Sequence, residues 1–152
     1  MIVAITGHRP EDSLGEEDVR VKTRAKIKYT KGVDTVICGM AAGVDLWAAD
    51  EALNAGKEVW AAVPWLGHTP RKGDEDLYQT IIDMSSKVVY VTEVKDYPGP
   101  WVYQKRNEWM VDNADVVMAY WSGIEAGGTF NCINYARKQG KKIANVYHDA
   151  PF

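Results

Sequence analysis

The residues with chemical capacity fall in four short stretches. "TGHRP" (6–10) puts His8 and Arg9 directly after Gly7, and "GMAAGVD" (39–45) ends a run of small residues on Asp45. "RN" sets Arg106 beside Asn107, and "SGIEAGGT" (122–129) carries Glu125 ahead of the adjacent Gly127 and Gly128. Arginine suits bidentate contact with a phosphate or a carboxylate, and a histidine titrating near neutrality donates or accepts a proton. Glycine inside a helix costs about 1 kcal/mol relative to alanine, so the Gly127–Gly128 pair ahead of Thr129 needs a reason. Either the pair makes a tight strand-to-helix turn, or the backbone approaches a ligand with helix N–H groups aimed at a phosphate or another anion.

Each stretch has a plainer reading beside the chemical one. His8 and Arg9 project above a sheet as ligand contacts, or they are a packed histidine and a surface arginine. The small residues Gly39, Met40, Ala41 and Gly43 let a nucleotide or phosphate lie against the backbone. Asp45 accepts from a ribose hydroxyl, or favours a helix dipole from the first turn. The spacing matches neither the GxGxxG dinucleotide fingerprint nor a Walker loop, which removes the usual support for NAD binding and ATP hydrolysis. In "WVYQKRNEWMVDNAD" the residues Val102, Arg106, Trp109, Met110 and Asn113 share one helical face. An arginine on an otherwise apolar face needs a partner, either an internal carboxylate or a bound anion. His68 and His148 lack metal-ligand spacing, as do Cys38 and Cys132, so no metal and no cofactor is expected.

These stretches are positioned by an alternation of strands and helices. "MIVAIT" (1–6), "DTVIC" (34–38), "EVWAAVPW" (58–65), "KVVYVT" (87–92), "DVVMAYW" (115–121) and "KKIANVY" (141–147) are short, continuous and rich in Val and Ile. Such runs predict strands covered on both faces. Helices are expected near 16–30, 43–55, 73–84, 101–113 and 128–139, three of them stopped by Gly32, Gly56 and Gly140. The order predicts an α/β fold with a single Rossmann-like doubly wound, mainly parallel sheet and helices on both faces, one domain over 1–152. Ligands of such sheets sit outside the carboxyl ends of the strands. "TGHRP", "CGMAAGVD", "VPW" with Pro64 and Trp65, and "YWSGIEAGGT" with Ser122 and Gly123 all fall at that end. The opposite strand ends carry ordinary turns such as "KGVD" and "AGKE".

Composition bounds the function classes. The 152 residues are 46% hydrophobic and 26% charged with a net charge of −3, which suits a soluble globular chain and argues against a nucleic-acid partner. No apolar run approaches the roughly 18–20 residues of a membrane span. "MIVAITGHRP" lacks the charged start and apolar length of a signal peptide, so a cytoplasmic chain with two buried thiols, Cys38 and Cys132, is expected. The basic residues from Arg20 to Lys31 advance about 200° per two-residue step and spread around a helix rather than form one stripe. Trp60, Trp65 and Trp121 are expected in the core or in a pocket wall. Trp101, on the polar face of the fourth helix, marks a subunit contact or folds back over the "YPGP" loop.

Together, "TGHRP", "GMAAGVDLWAADEA", "RN" and "GGTFNCINYARKQGKKI" resemble the superfamily that joins the DNA-processing protein DprA/Smf with the cytokinin-activating LOG proteins, called SLOG. The likeness is nearest to small bacterial and phage members that begin with a similar Gly-His-Arg turn. It implies a Rossmann-like sheet with a nucleotide-derived ligand at its carboxyl edge, and Gly127, Gly128 and Thr129 as the phosphate-contacting turn. LOG enzymes cleave a nucleotide N-glycosidic bond with an acid three positions after the motif's threonine, where this chain has Cys132. Glu125 and Asp45 are then the acids left for a catalytic role. DprA-like single-strand binding draws on extra surface and partner domains, and other members sense nucleotide signals such as cyclised ADP-ribose derivatives. The resemblance therefore implies binding of a nucleotide or ADP-ribose-like ligand, with N-glycosidic hydrolysis or transfer as the alternative. It also implies a homo-oligomer, a dimer or a tetramer of dimers, with helix 101–113 near an interface.

Overall fold

The computed structural model describes residues 1–12 and 15–148, and of Glu11 and His148 only the backbone. The strands are β1 (Ile2–Gly7), β2 (Thr35–Cys38), β3 (Glu58–Trp65), β4 (Lys87–Thr92), β5 (Val116–Tyr120) and β6 (Lys142–Asn145). Between them run α1 (Glu16–Tyr29), α2 (Val44–Asn54), α3 (Glu75–Met84), α4 (Trp101–Asp112) and α5 (Gly127–Lys138). Every strand pairing is parallel, in the order β4-β3-β2-β1-β5-β6. The chain therefore winds outward from β1 through β2 and β3 to β4, then crosses back to place β5 and β6 on the other side. The order reverses between β1 and β5, whose register pairs Ile5 with Met118 and Gly7 with Tyr120.

Strand alternation divides the core in two. Val3, Ile5, Val36, Cys38, Val59, Ala61 and Val63 face a layer made by α1, α2 and α3, which contributes Val19, Leu46, Ala49 and Ile81. Ala4, Ile37, Ala62 and Val117 face α4 and α5 through Met110, Val111, Cys132 and Ala136. Both faces are thus apolar along one strand, which is why these strands read as continuous hydrophobic runs and not as alternating ones. Between α1 and β5 the Tyr120 hydroxyl hydrogen-bonds Thr23, whose own hydroxyl donates to the Val19 carbonyl at 2.7 Å.

The strand and helix boundaries match the expected ones to within one or two residues, and the larger differences have local causes. β6 stops at Asn145 because that side chain turns to the strand next door. Its Oδ1 accepts from the N–H groups of Trp121 and Tyr147, and its Nδ2 donates to the Trp121 carbonyl. A 3-10 turn at Val146–His148 follows, and another at Pro10–Asp12 closes the Gly-His-Arg loop. On α4, Val102, Arg106 and Met110 are buried as their shared face requires, whereas Asn113 lies exposed past the helix end. Among the described residues no helix is long and apolar enough to cross a membrane.

Candidate functional site at the carboxyl edge

Where the strand order reverses, a cavity of about 1030 Å³ opens at the carboxyl ends of the strands. Its wall draws on the end of β1 with the loop after it, the β2–α2 loop with the start of α2, the β3–α3 loop, the first half of α4, the β5–α5 loop with the start of α5, and Tyr147 after β6. Close packing brings two helix N-termini to this point. A Cβ on Gly7 would meet the Val44 side chain at 2.5 Å, and one on Gly43 would meet the His8 carbonyl oxygen at 2.9 Å. Only bare backbone at both places lets α2 begin against the end of β1.

Asp45, in the first turn of α2, is 6% exposed and receives the Ala41 N–H on Oδ2 at 3.2 Å. Burial lifts its carboxyl to about 6, against the attraction of the Arg106 guanidinium. Arg106, buried on α4, donates from Nη1 to the Gly39 carbonyl at 2.8 Å, and from Nε and Nη2 to Asn107 Oδ1 at 3.2 and 3.0 Å. Asn107 in turn donates from Nδ2 to the Gly128 carbonyl at 3.4 Å. A polar strap thus runs from the β2–α2 loop through α4 to the start of α5. Its partners for Arg106 are a main-chain carbonyl and an amide, with the carboxylate of Asp45 acting through space. A guanidinium has five N–H donors, so these three bonds leave it donor capacity. Gly39 is the hinge of this arrangement: a Cβ there would sit 2.8 Å from Asp45 Oδ2 and 3.0 Å from Arg106 Nε.

The opposite wall is aromatic. Trp65 packs edge-on to His68 at 4.9 Å and to Tyr103 at 6.0 Å, and the Arg106 guanidinium carbon stands 5.8 Å from the Tyr103 ring centre. His68 Nδ1 lies 2.9 Å from the Tyr78 hydroxyl, and burial with help from Arg106 holds its imidazole down at about 4. It is therefore neutral at physiological pH. His8 is a strut: its Nε2 accepts the Ser122 N–H at 3.0 Å, tying the β1 and β5 loops together, and burial lowers its pKa against the pull of Asp12. Because Nε2 accepts, the proton of neutral His8 sits on Nδ1. Met40 adopts a left-handed backbone, φ 63°, the one non-glycine residue among those described to do so. Its N–H donates to Cys38 Sγ at 3.3 Å. Such conformations cost about 1–3 kcal/mol and gather at ligand sites.

Gly127 takes φ +89° as the first residue of α5, a value that favours glycine, while a Cβ on Gly128 would meet nothing within 4 Å. The two glycines thus differ in kind. Gly127 makes the turn, and Gly128 leaves the helix N-terminus open to the cavity.

Of the residues expected from sequence, Gly7, His8, Arg9, Met40, Ala41, Asp45, Trp65, Arg106, Asn107, Ser122, Gly127, Gly128 and Thr129 lie in one cavity wall. Gly39, Gly43, Pro64, Gly123 and Glu125 lie outside it. Gly39 and Gly43 still shape the wall through their close contacts, and Glu125 is exposed in the loop before α5. Trp121 stacks on Phe130 and donates to the Ile124 carbonyl, while Trp60 lies mid-sheet under Lys87. The wall also holds residues that sequence spacing does not single out as ligand contacts, including His68, Tyr103 and Gln104. Tyr103 precedes Arg106 by one helical turn, and His68 follows Trp65 at the same strand end, so face-sharing was the available signal. Among the described residues no cluster of three or more His, Cys, Asp or Glu side chains is placed to hold a metal ion.

A six-stranded parallel sheet with its cavity at the order reversal makes this a Rossmann-like α/β protein. The chain belongs to the DNA recombination-mediator protein A family, whose model matches residues 1–151, and so to the SLOG-type superfamily. The uncharacterised SPbeta prophage-derived protein YoqJ of Bacillus subtilis (strain 168) is 34% identical over 86 residues, 49% of this chain and 50% of that protein. A UPF0398 protein of Bacillus thuringiensis (strain Al Hakam) is 24% identical over 163 aligned positions, covering 97% of this chain and 87% of that one. Among solved structures, DprA from Streptococcus pneumoniae superposes with a TM-score of 0.76 at 18% identity, over 94% of this chain and 49% of that one. DprA from Helicobacter pylori, described for its single-stranded DNA binding mode, gives 0.72 at 21% identity over 95% and 64%. The molybdenum cofactor binding protein of Rippkaea orientalis gives 0.62 at 18% identity over 95% and 74%. These structural likenesses establish the fold. The chain spans about half the length of the Streptococcus protein, and the YoqJ match about half of that protein.

Proposed function

We propose that this chain binds a nucleotide or an ADP-ribose-like ligand in the carboxyl-edge cavity, as a sensor or a sequestering protein. The observation that carries the reading is the open N-terminus of α5, Gly127–Thr129, facing the same cavity as Asp45 and the Trp65–Tyr103 wall. Helix N–H groups favour an anion, so a phosphate sits there with Arg9 beside it. Asp45 accepts a ribose hydroxyl, and a base rests against Trp65 and Tyr103. Two structural neighbours are described as binding single-stranded DNA and a molybdenum cofactor, and both ligands carry phosphate. The same reading puts the chain in the cytoplasm, where Cys38 and Cys132, both free and buried, stay reduced.

A thermal-shift screen of nucleotides, sugar nucleotides and cyclic ADP-ribose isomers tests the proposal. A ligand at about a hundred times its dissociation constant adds about 2.7 kcal/mol of stability. Gly128→Ala keeps the fold, because the added methyl meets only open space, yet it removes the shift by occupying the anion seat. A folded protein that responds to no compound in the panel refutes the reading.

One observation favours a second reading, cleavage of the nucleotide N-glycosidic bond. Asp45 is a buried acid with a raised pKa in the cavity wall, the kind of group that stabilises positive charge developing on a ribose. Glu125 enters this reading only through a movement of the loop that carries it. Release of free base from nucleoside monophosphates, followed by chromatography and lost in Asp45→Asn, decides for it. Single-stranded nucleic acid is the third outcome, recognised by affinity that falls steeply with salt.

A further inference from the structure

The β4 edge of the sheet is unguarded. The Ser86 N–H ahead of β4 donates to the Val59 carbonyl at 2.9 Å, and the Val94 carbonyl beyond it accepts the Leu66 N–H at 3.0 Å. Backbone groups of successive strand residues turn to opposite sides, so the even-numbered residues of β4 face β3. Lys87, Val89 and Val91 therefore present their N–H and C=O groups outward, where no strand pairs with them among the described residues. Natural edges are blunted by a mid-strand charge, a proline or a bulge. This one runs from Lys87 through "VVYVT", with Glu93 just beyond its end. Apolar surface surrounds it, with Met84 63%, Val94 43% and Tyr90 38% exposed.

We propose that β4 pairs antiparallel with β4 of a second copy of this chain, about a two-fold axis at Tyr90, so that one sheet runs through both copies. Charge selects the register. Outward-facing residues must meet outward-facing residues, which puts the axis on a residue and not between two. An axis at Tyr90 sets Lys87 opposite Glu93 of the second copy, Val89 opposite Val91, and Tyr90 opposite itself. An axis at Val91 would oppose Lys87 to Lys95, like charge to like, and an axis at Val89 would leave Lys87 facing Val91. Opposite charges across strands stabilise and like charges destabilise. Lys87 lies on the α4 face of the strand, where its Nζ stands 4.7 Å from the Trp60 ring centre and 5.9 Å from that of Trp109. Strand alternation gives Glu93 the same face. Trp101, which sequence marks either for a subunit contact or for folding back over the "YPGP" loop, donates its indole N–H to the Pro98 carbonyl at 3.1 Å.

Light scattering of the full chain from micromolar to near-millimolar concentration tests the proposal, with far-UV circular dichroism establishing the fold of each variant. The expected mass is twice the 17.0 kDa of one chain. Lys87→Glu and Glu93→Lys each raise the dissociation constant about tenfold, through one like-charge pair at each end of the strand pair, and the double reversal restores it. Glu93→Lys leaves the Trp60 contact untouched, so its effect is read free of any change in that packing. Tyr90→Cys forms a disulfide-linked dimer on mild oxidation, because residues facing each other in a non-hydrogen-bonded pair have Cα atoms about 4.5 Å apart, within disulfide reach. The native cysteines are buried and do not compete. Trp101→Glu leaves the mass unchanged. A chain that remains at 17.0 kDa throughout overturns the proposal, as does a dimer that survives both single reversals or that only Trp101→Glu disrupts.

Discussion

Asp45 and Glu51 lie on the same helix, α2, and both are almost wholly buried, yet the fold treats their charges in opposite ways. Glu51 accepts from Arg24 Nε and Nη2 at 3.1 and 2.9 Å and from Arg20 Nη1 at 3.4 Å. Arg20 also holds Asp50 at 2.7 Å and Glu16 at 2.9 Å, which closes the network between α1 and α2. The hydrogen bonds from Arg24, ahead of those from Arg20, keep the Glu51 carboxyl below its usual range. Asp45 has one main-chain donor, from Ala41, while the neighbouring guanidinium bonds Gly39 and Asn107, and burial carries its carboxyl up to about 6. A buried acid enclosed by paired donors holds helices together. A buried acid left short of donors, beside a cavity, keeps unused acceptor capacity.

The largest expected effect breaks the closed network. Glu51→Ala leaves Arg20 with two other acids but strips Arg24 of its partner, and it opens a gap between α1 and α2. The expected loss is about 2 kcal/mol, from hydrogen bonds between charged groups. Urea unfolding at pH 7 reads it. Because the Glu51 pKa is lowered in the folded state, its contribution is present above the ordinary glutamate range and is lost as pH falls through the folded value. In wild type, stability then falls in acid more steeply than in the variant. Equal acid limbs would show that the network stores no charge-dependent stability.

The next effect has the opposite sign. Asp45 titrates near 6 when folded and near 3.8 as a free side chain, so between about pH 4 and 6 the native state binds the extra proton and stability falls as pH rises. Above about pH 6 the cost is complete and the curve is flat. Asp45→Asn keeps an acceptor for the Ala41 N–H without the buried charge, so it stabilises the ligand-free protein by about 1 kcal/mol at pH 7.5 and by almost nothing at pH 4. Melting temperatures of both proteins across that range check the sign. The same variant loses the ligand-induced shift, which separates a stability gain from a functional loss. A variant less stable than wild type at pH 7.5 would mean that attraction to Arg106 outweighs the cost of burying the Asp45 carboxylate.

The difference between these two acids was only partly legible in the sequence. Strands were legible because burial on both faces leaves long apolar runs, and the chemistry-bearing loops were legible because parallel strands all present their carboxyl ends on one side. Asp45 was visible as an acid in the first turn of a helix, a position where a dipole contact and a ligand contact look alike. Its burial depends on Arg106, brought from a helix far along the chain, and on Gly39 in the loop just before α2, where a Cβ would crowd the carboxylate. Glu125 shows the converse: its neighbours line the cavity, but it stays exposed, and loop direction is not encoded in spacing. The basic residues from Arg20 to Lys31 read as charges spread around a solvated surface helix. Arg20 and Arg24 in fact meet acids of α2, and no i, i+4 rule reaches from one helix to another. The aromatic wall was half visible, since Trp65 lies at a strand end while Tyr103 comes from a helix that only the tertiary fold brings alongside.

The smallest expected effect sharpens the comparison by dividing the work within the closed network. The Arg24 side chain is 60% exposed and that of Arg20 is 18% exposed, although both reach the same carboxylate. Arg24 supplies the two shorter bonds to Glu51, so geometry alone would rank it first. Exposure reverses that ranking for stability. Water and salt screen an exposed guanidinium, and ordering its long side chain offsets much of the attraction. Arg20, less exposed and shared among Glu16, Asp50 and Glu51, loses more partners when removed. Arg24→Ala is therefore expected to shift the urea midpoint less than Arg20→Ala, and both less than Glu51→Ala, which removes the charge they share. Adding salt should shrink the Arg24 effect further while leaving most of the Arg20 effect in place. If Arg24→Ala instead matched Glu51→Ala, the exposed Arg24 pair alone would hold α1 to α2.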